Sequence, residues 1–328
     1  MKKHWLLAVL CAALSAHAQT PPPIHWRLAT GYRAETFHTE NIAQFARDVE
    51  AASQGRLRIA VHPNNTLAKL ADIPHAVERG EAEAGETILT NLVQEIPLAG
   101  ADSVPFVVGS YADARRLWLL QRPLLDKHFE RHGLRLLYAV PWPPQGLFTN
   151  RPVKSASDFR GTRMRTYNQS TLRIAQWLGA TPVDVPMVGV NDALAQGLID
   201  SMITSAVTGV ENRVWGPMSH YYEINAWFPK NVVFVNAKAF DTLAPAQRSA
   251  VLQAAQAAEA RGWERSQAVL QASNDELRVH GIKVERVPRE FESEIQRMGE
   301  RFAREWVRTV GHEASALFVP YYTGPSTP

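Results

Sequence analysis

Apolar positions recur along this chain in two alternating rhythms. Ile24–Ala29 and residues 57–61 read as strands, and between them Ile42, Phe45, Ala46 and Val49 recur at helical spacing over about 38–52, with Gly55 placed to end the helix. A helix near 73–79 and a short strand through 84–89 follow. Strand, helix, strand, helix, strand in one short stretch predicts parallel pairing and an α/β layer architecture. Two helical stretches, 111–119 and 123–132, and a β run at 134–140 lead into Pro141-Trp142-Pro143-Pro144-Gln145-Gly146. Three prolines and a glycine stop regular structure there and mark a crossing between domains.

The second half repeats the style without repeating the sequence. Strands are predicted at 147–150, 163–166, 183–185, 200–204 and 232–235, and helices at 171–178 (ended by Gly179), 190–196 and 207–215. From 245 to 280 only Gly262 interrupts a run of Ala, Gln and Arg, and Pro245 suits a first helical turn. Such a helix would be ~54 Å long, longer than one domain of this size is wide, so it is expected to lie along both domains. After a strand-like 282–287, Phe291, Ile295, Met298, Phe302 and Trp306 form one apolar helix face, read as core.

The first residues change the composition. Lys2 and Lys3, an apolar run over 5–14 and Ala16-His17-Ala18 form the pattern of an export signal, residues 1–18, cleaved after Ala18 and too short to span a bilayer. The chain has 328 residues, 35 Lys+Arg and 32 Asp+Glu; without the signal its net charge falls from +3 to +1. Interspersed charges of both signs give no footprint for nucleic acid. The 45% apolar content excludes a disordered chain. The single cysteine, Cys11, lies in the signal, so the exported protein has neither disulfide nor thiolate ligand. A soluble periplasmic protein is expected.

The chain holds no nucleophile elbow, dinucleotide fingerprint, Walker loop or zincin helix. His128 and His132 have i, i+4 spacing but only two ligands, so neither metal nor organic cofactor is expected. Binding is favoured over catalysis. The stretch from Asp158 to Asn168 places Arg165 at the end of a strand that meets a helix N-terminus, a combination suited to a carboxylate. Further candidates lie at strand ends and the loops after them: Tyr32, Glu86, Thr87, Tyr167, Asn168, Thr204, Ser205 and Asn231.

Several motifs stand in order: Phe45…Val49…Gly55-Arg56-Leu57, Ala76-Val77-Glu78-Arg79-Gly80, Val104-Pro105-Phe106, Asp158-Phe159-Arg160-Gly161…Arg165, Leu178-Gly179-Ala180-Thr181-Pro182-Val183, Ala193-Leu194-Ala195-Gln196-Gly197-Leu198-Ile199-Asp200 and Asn236-Ala237-Lys238-Ala239-Phe240. With them the chain, over about 25–315, resembles the solute receptors of tripartite ATP-independent periplasmic (TRAP) transporters, the dicarboxylate-receptor-like family. The resemblance implies a two-lobed α/β binding-protein fold with a long helix spanning both lobes. Lobe I would comprise 24–142 plus 231–262, and lobe II 143–230 plus 263–325. It also implies a monomer that takes an organic acid to membrane permease subunits, with Arg165 pairing with the ligand carboxylate. Where many members carry a second arginine this chain has Gln145, beside Trp142, and Thr204-Ser205 replace a common asparagine. One cation fewer and one indole more point to a monocarboxylate with an apolar or aromatic body. The alternatives are a C4-dicarboxylate receptor, a ligand sensor of the same fold acting on a signalling partner, and an exported hydrolase or isomerase.

Overall fold

The computed structural model describes residues 22–324; the expected signal and Cys11 lie outside them. The strands are β1 (Ile24–Ala29), β2 (Leu57–His62), β3 (Ala84–Ile88), β4 (Leu134–Pro141), β5 (Gln145–Thr149), β6 (Arg163–Thr166), β7 (Thr181–Asp184), β8 (Ser201–Ser205), β9 (His220–Tyr222), β10 (Lys230–Asn236) and β11 (Lys283–Glu285). The helices are α1 (Phe37–Ala52), α2 (Ile73–Glu78), α3 (Tyr111–Arg131), α4 (Gln169–Leu178), α5 (Val190–Ala195), α6 (Ala206–Glu211), α7 (Ala237–Asp241), α8 (Pro245–Val279), α9 (Arg289–Val310) and α10 (His312–Thr323).

The strands form two sheets, ordered β2-β1-β3-β10-β4 and β11-β9-β5-β8-β6-β7. The expected parallel pairing holds for β1 with β2 and β3. The sheet is completed by β10, which returns from the second lobe and runs antiparallel between β3 and β4. Each lobe is thus a mixed sheet covered by helices, a two-lobed architecture in which strands cross from one lobe to the other.

The crossing segments are tied together. Trp142 N donates to Pro229 O (2.8 Å), Gln145 N to Trp227 O (2.9 Å) and Ala226 N to Gln145 O (2.9 Å). Prolines at 143 and 144 offer no N–H to a sheet, so the ladder breaks there and a narrow double strand joins the lobes. The first residue of the returning strand, Lys230, is fully buried; its backbone N donates to Asp102 Oδ2 at 2.8 Å and its Nζ lies 3.5 Å from the same oxygen.

The long helix α8 has 35 residues, ~52 Å. Val251, Ala254, Ala255 and Ala258 pack into the first lobe, and Leu277 packs with Phe148, Tyr221 and Ile282 in the second. Gly262 permits the close approach: a Cβ there would collide with the Val140 side chain.

Two expectations are corrected. The stretches 111–119 and 123–132 are one helix, α3, with Pro123 inside it. The carbonyl that Pro123 cannot serve belongs to Leu119, on the exposed side, while Leu117, Trp118, Leu125 and Phe129 bury the opposite face. The second lobe also does not run to 325. Leu317, Phe318 and Tyr321 of α10 bury into the first lobe beside Leu117 and Trp118, while Phe291, Ile295 and Phe302 of α9 pack in the second, so α9 is a second bridge between the lobes. No described helix is long and apolar enough to cross a membrane.

Candidate ligand-binding site

The lobes meet where strand ends face one another. From the first come Tyr32 after β1, Glu86 on β3, Asn231 on β10 and Trp142 after β4; from the second come Gln145 at the start of β5, Arg165 on β6 and Tyr167 after it. Each of these except Tyr167 is at most 4% exposed. Contact across the gap is direct: Val207 of α6, with Met187 and Tyr167, packs against the first-lobe cluster that holds Tyr32, Phe37 and Trp142. Arg33 Nη2 donates to Glu211 O (3.1 Å), and Ser170 Oγ to Ser103 O (3.1 Å). The described conformation is therefore closed.

Arg165 is 2% exposed. Its Nε donates to Val185 O (2.9 Å), and its guanidinium carbon lies 4.8 Å from the Tyr167 ring centroid. Among the described residues, neither terminal nitrogen has a hydrogen-bond acceptor and no carboxylate forms an ion pair with it. Burial pushes its pKa down to about 10, partly offset by Tyr167, Asp184 and Tyr32. A buried guanidinium with unspent parallel donors lacks charge compensation, and a carboxylate supplies it in the matching geometry. The same Tyr167 ties in Gln145, whose Oε1 accepts from Tyr167 OH (3.1 Å) and whose Nε2 donates to Pro143 O (3.0 Å).

The first-lobe wall is aromatic. The Trp142 ring lies 5.3 Å from Tyr32, 5.5 Å edge-on from Phe37 and 4.3 Å from His38. Thr36, as N-cap of α1, sets the helix start that places Phe37 and His38 here. His38 escaped the sequence reading because one histidine at a helix start carries no signal of its role. Beneath the rings, Glu86 accepts from Thr30 Oγ1 (2.5 Å) and Asn231 Nδ2 (2.8 Å), and burial pushes its carboxyl up to about 7.

Not every candidate joins this group. Thr87, next to Glu86, points to the other face of the strand, where it donates to Leu70 O and accepts from Asn91 Nδ2. Asn168 and Ser205 are N-caps: Asn168 Oδ1 accepts from Thr171 N (2.8 Å) and Ser205 Oγ from Thr208 N (3.4 Å). Thr204 is buried on β8, paired with Gly146. A cavity of about 560 Å³ lies beside the site rather than in it, lined by Thr90, Ser103, Asn168, Arg173, Phe302 and Trp306.

Both histidines of the i, i+4 pair lie against carboxylates. His128 Nε2 lies 2.8 Å from Glu313 Oε1 and its Nδ1 2.7 Å from Arg131 Nη2, while His132 Nδ1 lies 3.4 Å from Glu78. Among the described residues no group of three or more His, Cys, Asp or Glu side chains could hold an ion. Treatment with a chelator is expected to leave both melting temperature and ligand affinity unchanged; a fall in either would reveal a metal.

Over residues 28–309 the chain matches the family model described as bacterial extracellular solute-binding protein, family 7. The chain belongs to this family. Its fold superimposes on DctP6 of Bordetella pertussis, an extracytoplasmic solute receptor binding pyroglutamic acid, with a TM-score of 0.89 and 37% identity over 91% of this chain and 99% of that one. A marine-metagenome TRAP solute-binding protein specific for pyroglutamate gives 0.89 and 33% identity over 92% and 99%. A solute-binding protein of Roseobacter denitrificans is 26% identical over 79% of this chain and 80% of its own. This is a TRAP solute receptor, of an extracytoplasmic family whose fold serves binding.

Proposed function

We propose that this receptor captures a small monocarboxylate of the pyroglutamate type in the periplasm and hands it to the permease subunits of its transporter. Arg165 carries the reading: it is a lone buried guanidinium whose two terminal nitrogens have no protein acceptor among the described residues. Gln145, neutral and already bonded to Tyr167, stands where a second cation would favour a dicarboxylate. The aromatic wall accepts a flat body, and the likeness to two pyroglutamate receptors at 33–37% identity supports a five-membered lactam acid.

Ligand held by Arg165 from one lobe and covered by Tyr32 and Trp142 from the other binds the closed form better than the open one, which drives closure about the crossing segments at 142–146 and 226–230. The protein acts as a monomer without cofactor. Titration calorimetry with L-pyroglutamate, succinate and D-glucuronate tests the reading. Micromolar or tighter binding of pyroglutamate, at least tenfold stronger than the other two, is expected; preferential binding of succinate would overturn it. Uptake into proteoliposomes holding the permease, only when receptor is added, is expected of a transport receptor and not of a sensor.

A further inference from the structure

We propose that Glu86 and Asn231 form a buried polar relay that fixes Tyr32 and Trp142 as an aromatic wall, and that this wall makes the site selective for carboxylates with a flat, weakly polar ring. The inference rests on the monocarboxylate reading above and adds a basis for its selectivity.

The geometry leaves Asn231 one orientation. An indole N–H only donates, so Trp142 Nε1, 2.9 Å away, selects Oδ1 of the amide; Tyr32 OH donates to the same oxygen at 3.3 Å. Nδ2 must then face Glu86, and it donates to Oε1 at 2.8 Å. The other carboxylate oxygen accepts from Thr30 Oγ1, which itself accepts from Tyr32 N at 3.3 Å. Glu86, Asn231 and Thr30 are each at most 1% exposed, so water does not compete for these bonds.

Two consequences follow. Asn231 spends its oxygen and one of its two N–H groups within the protein, which makes it a positioning residue. The polar atoms of Tyr32 and Trp142 are also turned inward, so these two side chains offer ring faces instead of hydroxyl or N–H groups. His38 closes the back, its ring 4.3 Å from the indole and its Nδ1 3.6 Å from Glu86 Oε1. A sugar acid needs several donors and acceptors around its hydroxyls, and this wall withholds them; a planar lactam needs few.

The test exchanges the polarity of the relay. In Asn231→Asp two carboxylates oppose each other, and at pH 8 pyroglutamate affinity is expected to fall at least tenfold. Glu86→Gln alone keeps an acceptor for Asn231 and a partner for Thr30, and should bind within about threefold of wild type. In the double variant Glu86→Gln/Asn231→Asp the glutamine amide donates to the carboxylate introduced at position 231 while its oxygen serves Thr30, and affinity should return to within about threefold. Trp142→Phe keeps a ring but loses the N–H that Asn231 holds, and should bind pyroglutamate about three- to tenfold more weakly, whereas Trp142→Leu loses ring and bond together, should fall further and should narrow the margin over D-glucuronate. A folded Asn231→Asp that binds as wild type, or a folded double variant that stays as weak as Asn231→Asp, overturns the relay. Should Asn231→Asp not fold, the two Trp142 variants decide: a folded Trp142→Phe that binds as wild type overturns the relay, and a folded Trp142→Leu that keeps the full margin over D-glucuronate overturns the wall. A wild-type protein that binds no pyroglutamate would instead overturn the functional reading.

Discussion

Replacing Arg165 by alanine is expected to weaken ligand binding by roughly 30- to several-thousand-fold, the equivalent of about 2–5 kcal/mol for removing one partner of a desolvated charge pair. The ligand carboxylate would be buried without its counter-charge, and no other described arginine occupies this site. Arg165→Lys should not restore affinity. Its ammonium cannot offer two parallel donors while also bonding Val185 O as Nε does at 2.9 Å. Arg163 provides the contrast. It is held by Asp200 through Nε (3.1 Å) and Nη2 (2.9 Å), with its side chain 45% exposed. Arg163→Ala and Arg160→Ala should each leave affinity within about fivefold of wild type. Calorimetry on the four variants, with circular dichroism to confirm folding, checks this. An Arg165→Ala protein that is folded and binds within about threefold of wild type would mean that the anchor lies elsewhere.

The second large effect is a dependence on pH that runs through Glu211. This residue ends α6 on the second lobe and faces the first, where Arg33 donates to its carbonyl. Its Oε2 is sealed from water and has no hydrogen-bond partner among the described residues. Burial pushes its carboxyl up from 4.5 to about 7; Arg33 opposes the shift, while Glu35 and Glu40 add to it. A raised carboxyl pKa means that the closed protein favours the protonated form. The favourable contribution is therefore complete below about pH 4.5 and is lost as pH rises through about 7. Since closure creates the burial, ligand affinity should follow the same course, with an upper limit of roughly 300-fold if Glu211 titrates normally in the open form. Titrations with L-pyroglutamate at pH 5.5, 7 and 8, in buffers of different ionisation heat, should show proton uptake on binding. Glu211→Gln should reduce that uptake and flatten the pH profile, and should raise the melting temperature relative to wild type more at pH 8 than at pH 5.5. Identical profiles for the two proteins would refute the linkage.

Local and periodic features of the chain carried most of the architecture. Four residues of alternating character ending just past Arg165 were read as a strand and are one. Gly179 ends α4 in the left-handed conformation its position implied. The run after Pro245 lacked any strong breaker and forms the helix that spans both lobes. These are decided by neighbours in sequence, where propensity, capping and periodicity act. Motif order over the same chain indicated the family and the weight given to Arg165.

Other features depended on residues far apart in sequence. Pairing of β10 sets Val235 against Ala84 on one side and Asn236 against Leu134 on the other, and no local pattern states whether a returning strand runs parallel or antiparallel. The placement of α10 was equally hidden, since an apolar helix face does not name the core that will bury it. At the site, only folding separated the roles of the residues that strand ends offered. Arg165 keeps unspent donors, Asn231 and Glu86 bind each other, Thr87 serves a loop, and Asn168 and Ser205 cap helices. His38 and Glu211 became visible only in the folded chain, because burial, which gives a titratable group its altered pKa, belongs to the packed molecule and not to any segment of it.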